Sequence, residues 1–280
     1  LSLVGSEMCI RDSPDAARSF NDDLEVVREF GVTVVSVDEA EKLDSDVVRL
    51  ELKDFDLTAI EDAFSRFEVD LGDLDVVAAA VFDHGAAPPG YSDRQFRFDF
   101  IQEKVTANQQ LSSFAFLRQD IPAIMTRMQA VARSASDLDV PLVVMDTAPA
   151  AVLGAMQDEQ VRHADQFMMT NVGNFHTIAF RIGPEGIAGV FEHHTGMLDT
   201  SKLDRLLARL ADGSLTHEEI FEDHGHGALV LSSPPYRRSS DRFGVAVTGP
   251  RWSMMRESSL NPHFATPFGD MMMAGCHGLI

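Results

Sequence analysis

Residues Gln166 to Gly196 read QFMMTNVGNFHTIAFRIGPEGIAGVFEHHTG. Apolar Phe167-Met168-Met169 leads into Asn171-Val172-Gly173-Asn174, and Ile178-Ala179-Phe180 leads away. The spacing predicts strand, tight turn and strand, with Gly173 and Asn174 supplying the positive φ of a two-residue hairpin. A second hairpin, residues 178–182 and 187–191 about Gly183-Pro184-Glu185-Gly186, ends in Glu192-His193-His194-Thr195. The first turn carries Asn171, His176 and Thr177, and turn N–H groups facing a ligand are one way to hold a phosphate. From local sequence alone a plain hairpin is the better reading, and it is the order of the neighbouring motifs that favours a ligand loop. Strand alternation sends only one of His193 and His194 to a given face, leaving the other to pack or meet solvent.

Outward from these hairpins the text alternates. Residues 22–30 (DDLEVVREF) predict a helix stopped by Gly31, and residues 32–37 (VTVVSV) a strand. Residues 50–52 suggest another. Residues 56–67 predict a helix with Leu57, Ile60, Phe64 and Phe67 on one apolar stripe and a capping box at Thr58 and Glu61. Residues 75–82 (DVVAAAVF) and 141–145 (PLVVM) read as buried strands; Pro122 opens a helix over 123–135, and a small-residue helix covers 150–156. Helices over 201–211 and 216–222, the latter boxed by Thr216 and Glu219, precede a strand at 243–247 and a terminal helix at 271–279. Strands alternating with helices indicate an α/β protein.

The chain has 280 residues, 45% of them apolar, enough for a large core. Its formal charge is −21, with four lysines, which disfavours nucleic acid and anionic membranes as partners. No apolar run is long enough to span a bilayer. Cys9 and Cys276 cannot form a disulfide framework or a thiolate cage, so a reducing cytoplasm is the expected setting. Residues 1–13 (LSLVGSEMCIRDS) match neither the Asp-rich text after them nor a signal peptide. They resemble adapter read-through, which implies a missing natural start.

Four motifs fall at the carboxyl ends of expected strands, where open α/β sheets bind ligands. They are Asp83-His84-Gly85, Asp146-Thr147, Glu192-His193-His194 and Thr248-Gly249-Pro250-Arg251. Each has a structural alternative: Asp83 and Asp146 as turn or helix caps, Thr248–Arg251 as a simple turn, and His176 as a half-buried strand residue. Arg94 and Arg97 sit among Asp93 and Asp99 and read as a surface ion-pair network. His224-Gly225-His226-Gly227 reads as a surface loop.

The order of these pieces resembles the actin/sugar-kinase/heat-shock-chaperone ATPase superfamily. Residues 145–156 look like its first interdomain helix, 169–179 like phosphate loop two, 245–252 like the adenosine loop and 269–279 like the second interdomain helix. More narrowly, VFDHGAAPPGYSDRQFRF, MDTAPAAVLGA, NVGNFHTIAF, FEHHTG, HGHGA, VTGPR and GDMMMAGCHGL resemble an uncharacterised family labelled as a pyruvate formate-lyase activating protein, over about residues 22–280. That label names S-adenosylmethionine chemistry at an iron–sulfur cluster on three clustered thiolates, which two distant cysteines do not supply.

The resemblance implies a two-lobed, actin-like ATPase (ribonuclease H-like) α/β fold with its first lobe incomplete. The lobes would be residues 14–157 and 158–262, followed by an interdomain segment at 263–280. It implies ATP with Mg²⁺ as cofactors and a small-molecule substrate. Asn171, Gly173, Asn174, His176, Thr177, Thr248, Gly249, Pro250 and Arg251 would bind the nucleotide. Asp83, His84, Asp146, Glu192, His193 and His194 are the candidates for catalysis, in a phosphotransferase or an ATPase. Two departures stand out. Phosphate loop one is absent, and Asn171 replaces the family's usual Asp. Losing a unit charge about 5 Å from a dication costs several kcal/mol even at an effective dielectric of about 20.

Two other functions fit the same residues. A metal-dependent hydrolase or lyase would use Asp83, His84, His193, His194 and His224 or His226, although no His-x-x-x-His spacing occurs. A non-catalytic nucleotide-binding scaffold or sensor would suit Asn171.

Overall fold

A computed structural model describes residues 10–12, 14–17, 24–43, 48, 53–231 and 244–280. The strand expected at 50–52, Phe243 and most of residues 1–13 lie outside them. β1 (Ile10–Asp12) and β2 (Val32–Val34) form a parallel pair with α1 (Pro14–Ala17) and α2 (Leu24–Glu29), around Ala17, Val27 and Val32. α3 (Val37–Glu41) begins at a Ser36–Glu39 capping box.

α4 (Leu57–Ser65) departs from expectation twice. Its cap is Asp56, whose carboxylate accepts from Ala59 N–H at 3.1 Å, rather than Thr58, which lies inside the helix. Its stripe faces water rather than a core: Ile60 is 37% exposed, Phe64 44% and, just beyond the helix, Phe67 81%.

A three-stranded sheet follows, built from β3 (Val77–Ala80), β4 (Ala115–Leu117) and β5 (Leu142–Met145) in the order β3-β5-β4. β3 and β5 are parallel, and β4 is antiparallel to β5. Between β3 and β4 runs α5 (Asp93–Ala107), which buries Phe98, Phe100, Ile101 and Val105. α6 (Thr126–Ser134) starts later than expected, because Pro122 opens a separate turn closed by Met125 N–H to Pro122 O at 2.9 Å. α7 (Thr147–Ala155) leaves β5 directly, with Asp146 as its cap.

The expected hairpins are β6 (Phe167–Val172), β7 (His176–Gly183) and β8 (Gly186–His194). α8 (Thr200–Asp212) and α9 (His217–Glu222) lead to β9 (Gly227–Val230), and β10 (Val245–Thr248) and β11 (His263–Phe264) precede α10 (Ala274–Gly278). Together the strands form a six-stranded sheet in the order β11-β10-β6-β7-β8-β9. β6 to β9 are an antiparallel meander, whereas β10 runs parallel to β6 and β11 parallel to β10.

Both faces of this sheet are covered, which explains why its central strands read as continuous apolar runs. Met169, Ile178, Phe180 and Val190 pack toward the three-stranded sheet and α7. Met168, Val172, Ala179 and Phe191 pack on the other side against Leu203, Leu206, Leu207 and Leu210 of α8. Those leucines recur at helical spacing between an Asp199 cap and a left-handed Gly213 terminus.

The β6–β7 turn lacks the expected positive φ at Gly173 and Asn174. Gly173 is required for space instead, since a Cβ there would lie 2.5 Å from His176 O. α7 and α10 cross with their backbones touching. A Cβ on Gly154 would fall 1.7 Å from Ala274 O, and one on Gly278 1.9 Å from Ala150 O. Among the described residues no helix is long and apolar enough to cross a membrane.

Candidate functional site

The β6–β7 turn, the end of β8, the start of β9 and the end of β10 lie at one end of the six-stranded sheet. The loop after β3 reaches the same place. Arg97 of α5 holds these pieces together. Fully buried, it donates from Nε to Glu192 Oε2 at 3.2 Å, from Nη2 to Glu192 Oε1 at 3.4 Å and from Nη1 to Asp83 O at 3.0 Å. Asp146 Oδ2 lies 2.6 Å from Nη1, a charge contact outside hydrogen-bond geometry. One buried cation thus serves two buried carboxylates. Burial pushes Asp146 upward, and Arg97, partly offset by Glu192, does not bring it back. Burial pushes Glu192 upward too, but there Arg97, then His226 and His176, prevail and hold it at about 2. Asp83 is also committed, since its two oxygens accept from Gly85 N–H and Met128 N–H at 2.9 and 2.8 Å.

Above Glu192 four imidazoles converge. His84 comes from the loop after β3, His176 from the start of β7, His194 from the end of β8, and His226 immediately precedes β9. His84 Nε2 and His176 Nε2 are 3.3 Å apart, and one ring nitrogen from each of His84, His176 and His226 lies within 4.8 Å of the others. The His194 ring centre is 4.7 Å from that of His226 and 5.1 Å from that of His176, while Phe82 stacks on His176. Burial lowers His84 and His176 to about 4 and His226 to about 3, and it lowers His194 as well. At neutral pH these rings are uncharged, each with one N–H and one bare nitrogen. His226 is fully buried, and neither ring nitrogen has a hydrogen-bond partner.

Beside the imidazoles, Gly249 has φ +99°, and a Cβ there would lie 2.7 Å from both Asn171 Oδ1 and Val172 O. The Thr248–Arg251 loop therefore rests on the end of β6, tied by Arg251 N–H to Val172 O at 2.9 Å. Thr177 is buried and shares a 2.9 Å hydroxyl–hydroxyl bond with Thr195, while Thr248 Oγ1 is buried without a partner. Asn174, Pro250 and Arg251 are exposed at the rim.

The structure thus gathers Asp83, His84, Asp146, Asn171, Gly173, His176, Thr177, Glu192, His194, Thr248 and Gly249 at one end of the sheet. His193 does not join them. It points to the α8–α9 side, with Nδ1 against His194 O and Nε2 3.5 Å from Asp223, which Lys202 also binds. Two sequence readings are corrected. Arg97 is a buried hub rather than part of a surface network, and His226 is buried rather than in a surface loop. A signal for His226 was present in its glycine neighbours. A Cβ on Gly225 would strike Ile220 Cγ2 at 2.5 Å, and one on Gly227 would strike His217 Nδ1 at 2.4 Å. Glycines on both sides of a polar residue can mark tight packing rather than a loose loop.

No curated protein and no solved structure matches the chain significantly. A family model described as "Putative pyruvate format-lyase activating enzyme (DUF1786)" matches residues 4–254. That match spans most of the sequence, and the chain belongs to this family.

Proposed function

We propose that this protein binds an adenine nucleotide in the manner of the actin/sugar-kinase superfamily and serves phosphoryl-transfer chemistry, as a phosphotransferase or ATPase. The observation that carries the reading is the seating of Gly249 on Asn171 and Val172. It brings together the two loops that the resemblance assigns to base and phosphates. The sheet order gives further support: an antiparallel meander joined by two parallel strands beside its first strand is the ribonuclease H-like arrangement. The α7–α10 crossing stands where two interdomain helices would meet. On this reading residues 14–157 and 158–262 are the two lobes, and the protein works in the cytoplasm on a small hydroxyl-bearing or water substrate.

The chain's own groups would divide the work as follows. Gly173 N–H is taken by His176 O, so the Asn174 N–H at the exposed turn and the orphaned Thr248 hydroxyl would be the donors to phosphate oxygens, with Arg251 as a rim cation. Asp83 and Asp146 are occupied, so the general base is an imidazole. His194, half-buried at the rim, is neutral and placed for that role. A protein-held Mg²⁺ does not fit. That ion takes oxygen ligands, and the carboxylates of Asp83, Asp146 and Glu192 are engaged by backbone N–H groups or Arg97. The activity in the family's description is not adopted, because two cysteines far apart in these 280 residues cannot ligate a cluster.

Thermal unfolding with ATP, ADP or AMP, with and without divalent ions, tests the reading. Binding at 100 times Kd stabilises by about 2.7 kcal/mol. The midpoint should rise with ATP or ADP and respond less when Arg251→Ala removes the rim cation. An unchanged midpoint at millimolar nucleotide would refute it.

A further inference from the structure

The imidazole cluster carries an inference that does not depend on nucleotide binding. We propose that His84, His176 and His226 form a binding site for a divalent transition metal of the zinc, cobalt or iron type, leaving a coordination position for an exogenous oxygen ligand beside His194.

Geometry is the first argument. Two nitrogens each about 2.0–2.1 Å from a tetrahedral ion stand about 3.3–3.4 Å apart. The His84 and His176 Nε2 atoms are separated by 3.3 Å, and the third nitrogen lies within 4.8 Å of both. The competing explanation is a plain hydrogen bond between two neutral rings. That accounts for one pair and leaves His226 fully buried with both nitrogens unpartnered. A buried polar atom left without a partner keeps its full desolvation cost. An ion among the three rings satisfies one of those nitrogens and gives the other two rings a common partner.

The ligands converge from the loop after β3, from the start of β7 and from the turn just before β9. Neutral imidazole suits borderline transition metals, whereas Mg²⁺ and Ca²⁺ need free oxygens that this site lacks. The surroundings also suit a cation. Glu192 is an anion beneath the rings, and its field acts on all three. Arg97 lies against both Asp146 and Glu192, so one cation is shared between two carboxylates. Three protein ligands with an open position is the pattern of reactive rather than purely structural zinc sites.

The test uses the full chain, stripped with chelator and titrated with Co²⁺ and then Zn²⁺. Metal content is read by elemental analysis and coordination by the visible absorption of Co²⁺. The expected result is one metal per chain with a four-coordinate cobalt spectrum. His84→Gln and His226→Ala should each weaken binding by about 100-fold or more, beyond the 10–100-fold typical of outer-shell changes. His193→Ala, on the opposite face of β8, should bind as the parent does. His84 lies in a half-buried loop, so its variant keeps the test informative if His226→Ala fails to fold. Folded parent protein that takes up no stoichiometric metal, or a His84→Gln variant that binds with parental affinity, overturns the proposal.

Discussion

Replacing Arg97 with methionine should be the most damaging conservative-volume change in the molecule, with a diagnostic pH dependence. The guanidinium makes two contacts to Glu192, one to Asp83 O and a 2.6 Å charge contact to Asp146, all fully buried. Removing one member of a buried charge network costs about 3–5 kcal/mol, because the partners stay desolvated and unpaired. In urea that is a drop in midpoint of roughly 1–2 M at a denaturant slope of about 3 kcal/mol/M, the steep end that a long chain takes. Glu192, held at about 2 against an ordinary 4.5, gives the parent stability that is present above pH 4.5 and lost as pH falls toward 2. Without Arg97 the sign reverses. Burial then raises the carboxyl, so the penalty is largest at neutral pH and fades as pH falls to 4.5 and below. The gap between variant and parent should therefore narrow on acidification, the more so because Arg97 also lowers His84 and His176 and its loss eases their protonation. The triple variant Arg97→Met, Asp146→Asn, Glu192→Gln should be more stable than Arg97→Met alone. A single variant within about 1 kcal/mol of the parent, a gap that does not depend on pH, or a triple variant worse than the single would refute the reasoning.

The metal-free protein should lose stability between pH 6.5 and about 4, because His84 and His176 at about 4 and His226 at about 3 all lie below the ordinary 6.5. The unfolded chain binds protons first, and each ring contributes up to about 1.4 kcal/mol per pH unit in that window; urea midpoints at several pH values measure it, and His84→Asn should flatten the slope. Gly154→Ala should cost about 1–3 kcal/mol or more, since its Cβ would lie 1.7 Å from a backbone oxygen that cannot rotate away. Gly275→Ala, whose Cβ would meet nothing nearer than 4.0 Å, should instead be neutral or stabilising by up to about 1 kcal/mol from helix propensity; thermal unfolding of the pair separates close approach from a general intolerance of α10.

The hairpins were legible because composition and turn residues act locally. The observed strands β7 and β8 extend the expected ones by one to three residues at each end. α8, with leucines at helical spacing between a carboxylate cap and Gly213, was equally clear. α5 was not, because its buried face includes Arg97, which no hydrophobic pattern selects. The α4 stripe shows the converse: periodicity identified the helix correctly but said nothing about what covers it. At the site, strand alternation separated His194 from His193. Nothing local linked His84 to His176, 92 positions away, or revealed that one arginine occupies both carboxylates. Such facts are properties of the sheet order, which fixes who meets whom only after the chain is folded.

The crossing of α7 and α10 has a mechanical corollary. Where Gly154 and Gly278 bring two helices into direct main-chain contact, backbone atoms set the distance between them. A single methyl at either glycine would therefore wedge the two helices apart, so the closeness of the joint is held by what these two positions lack.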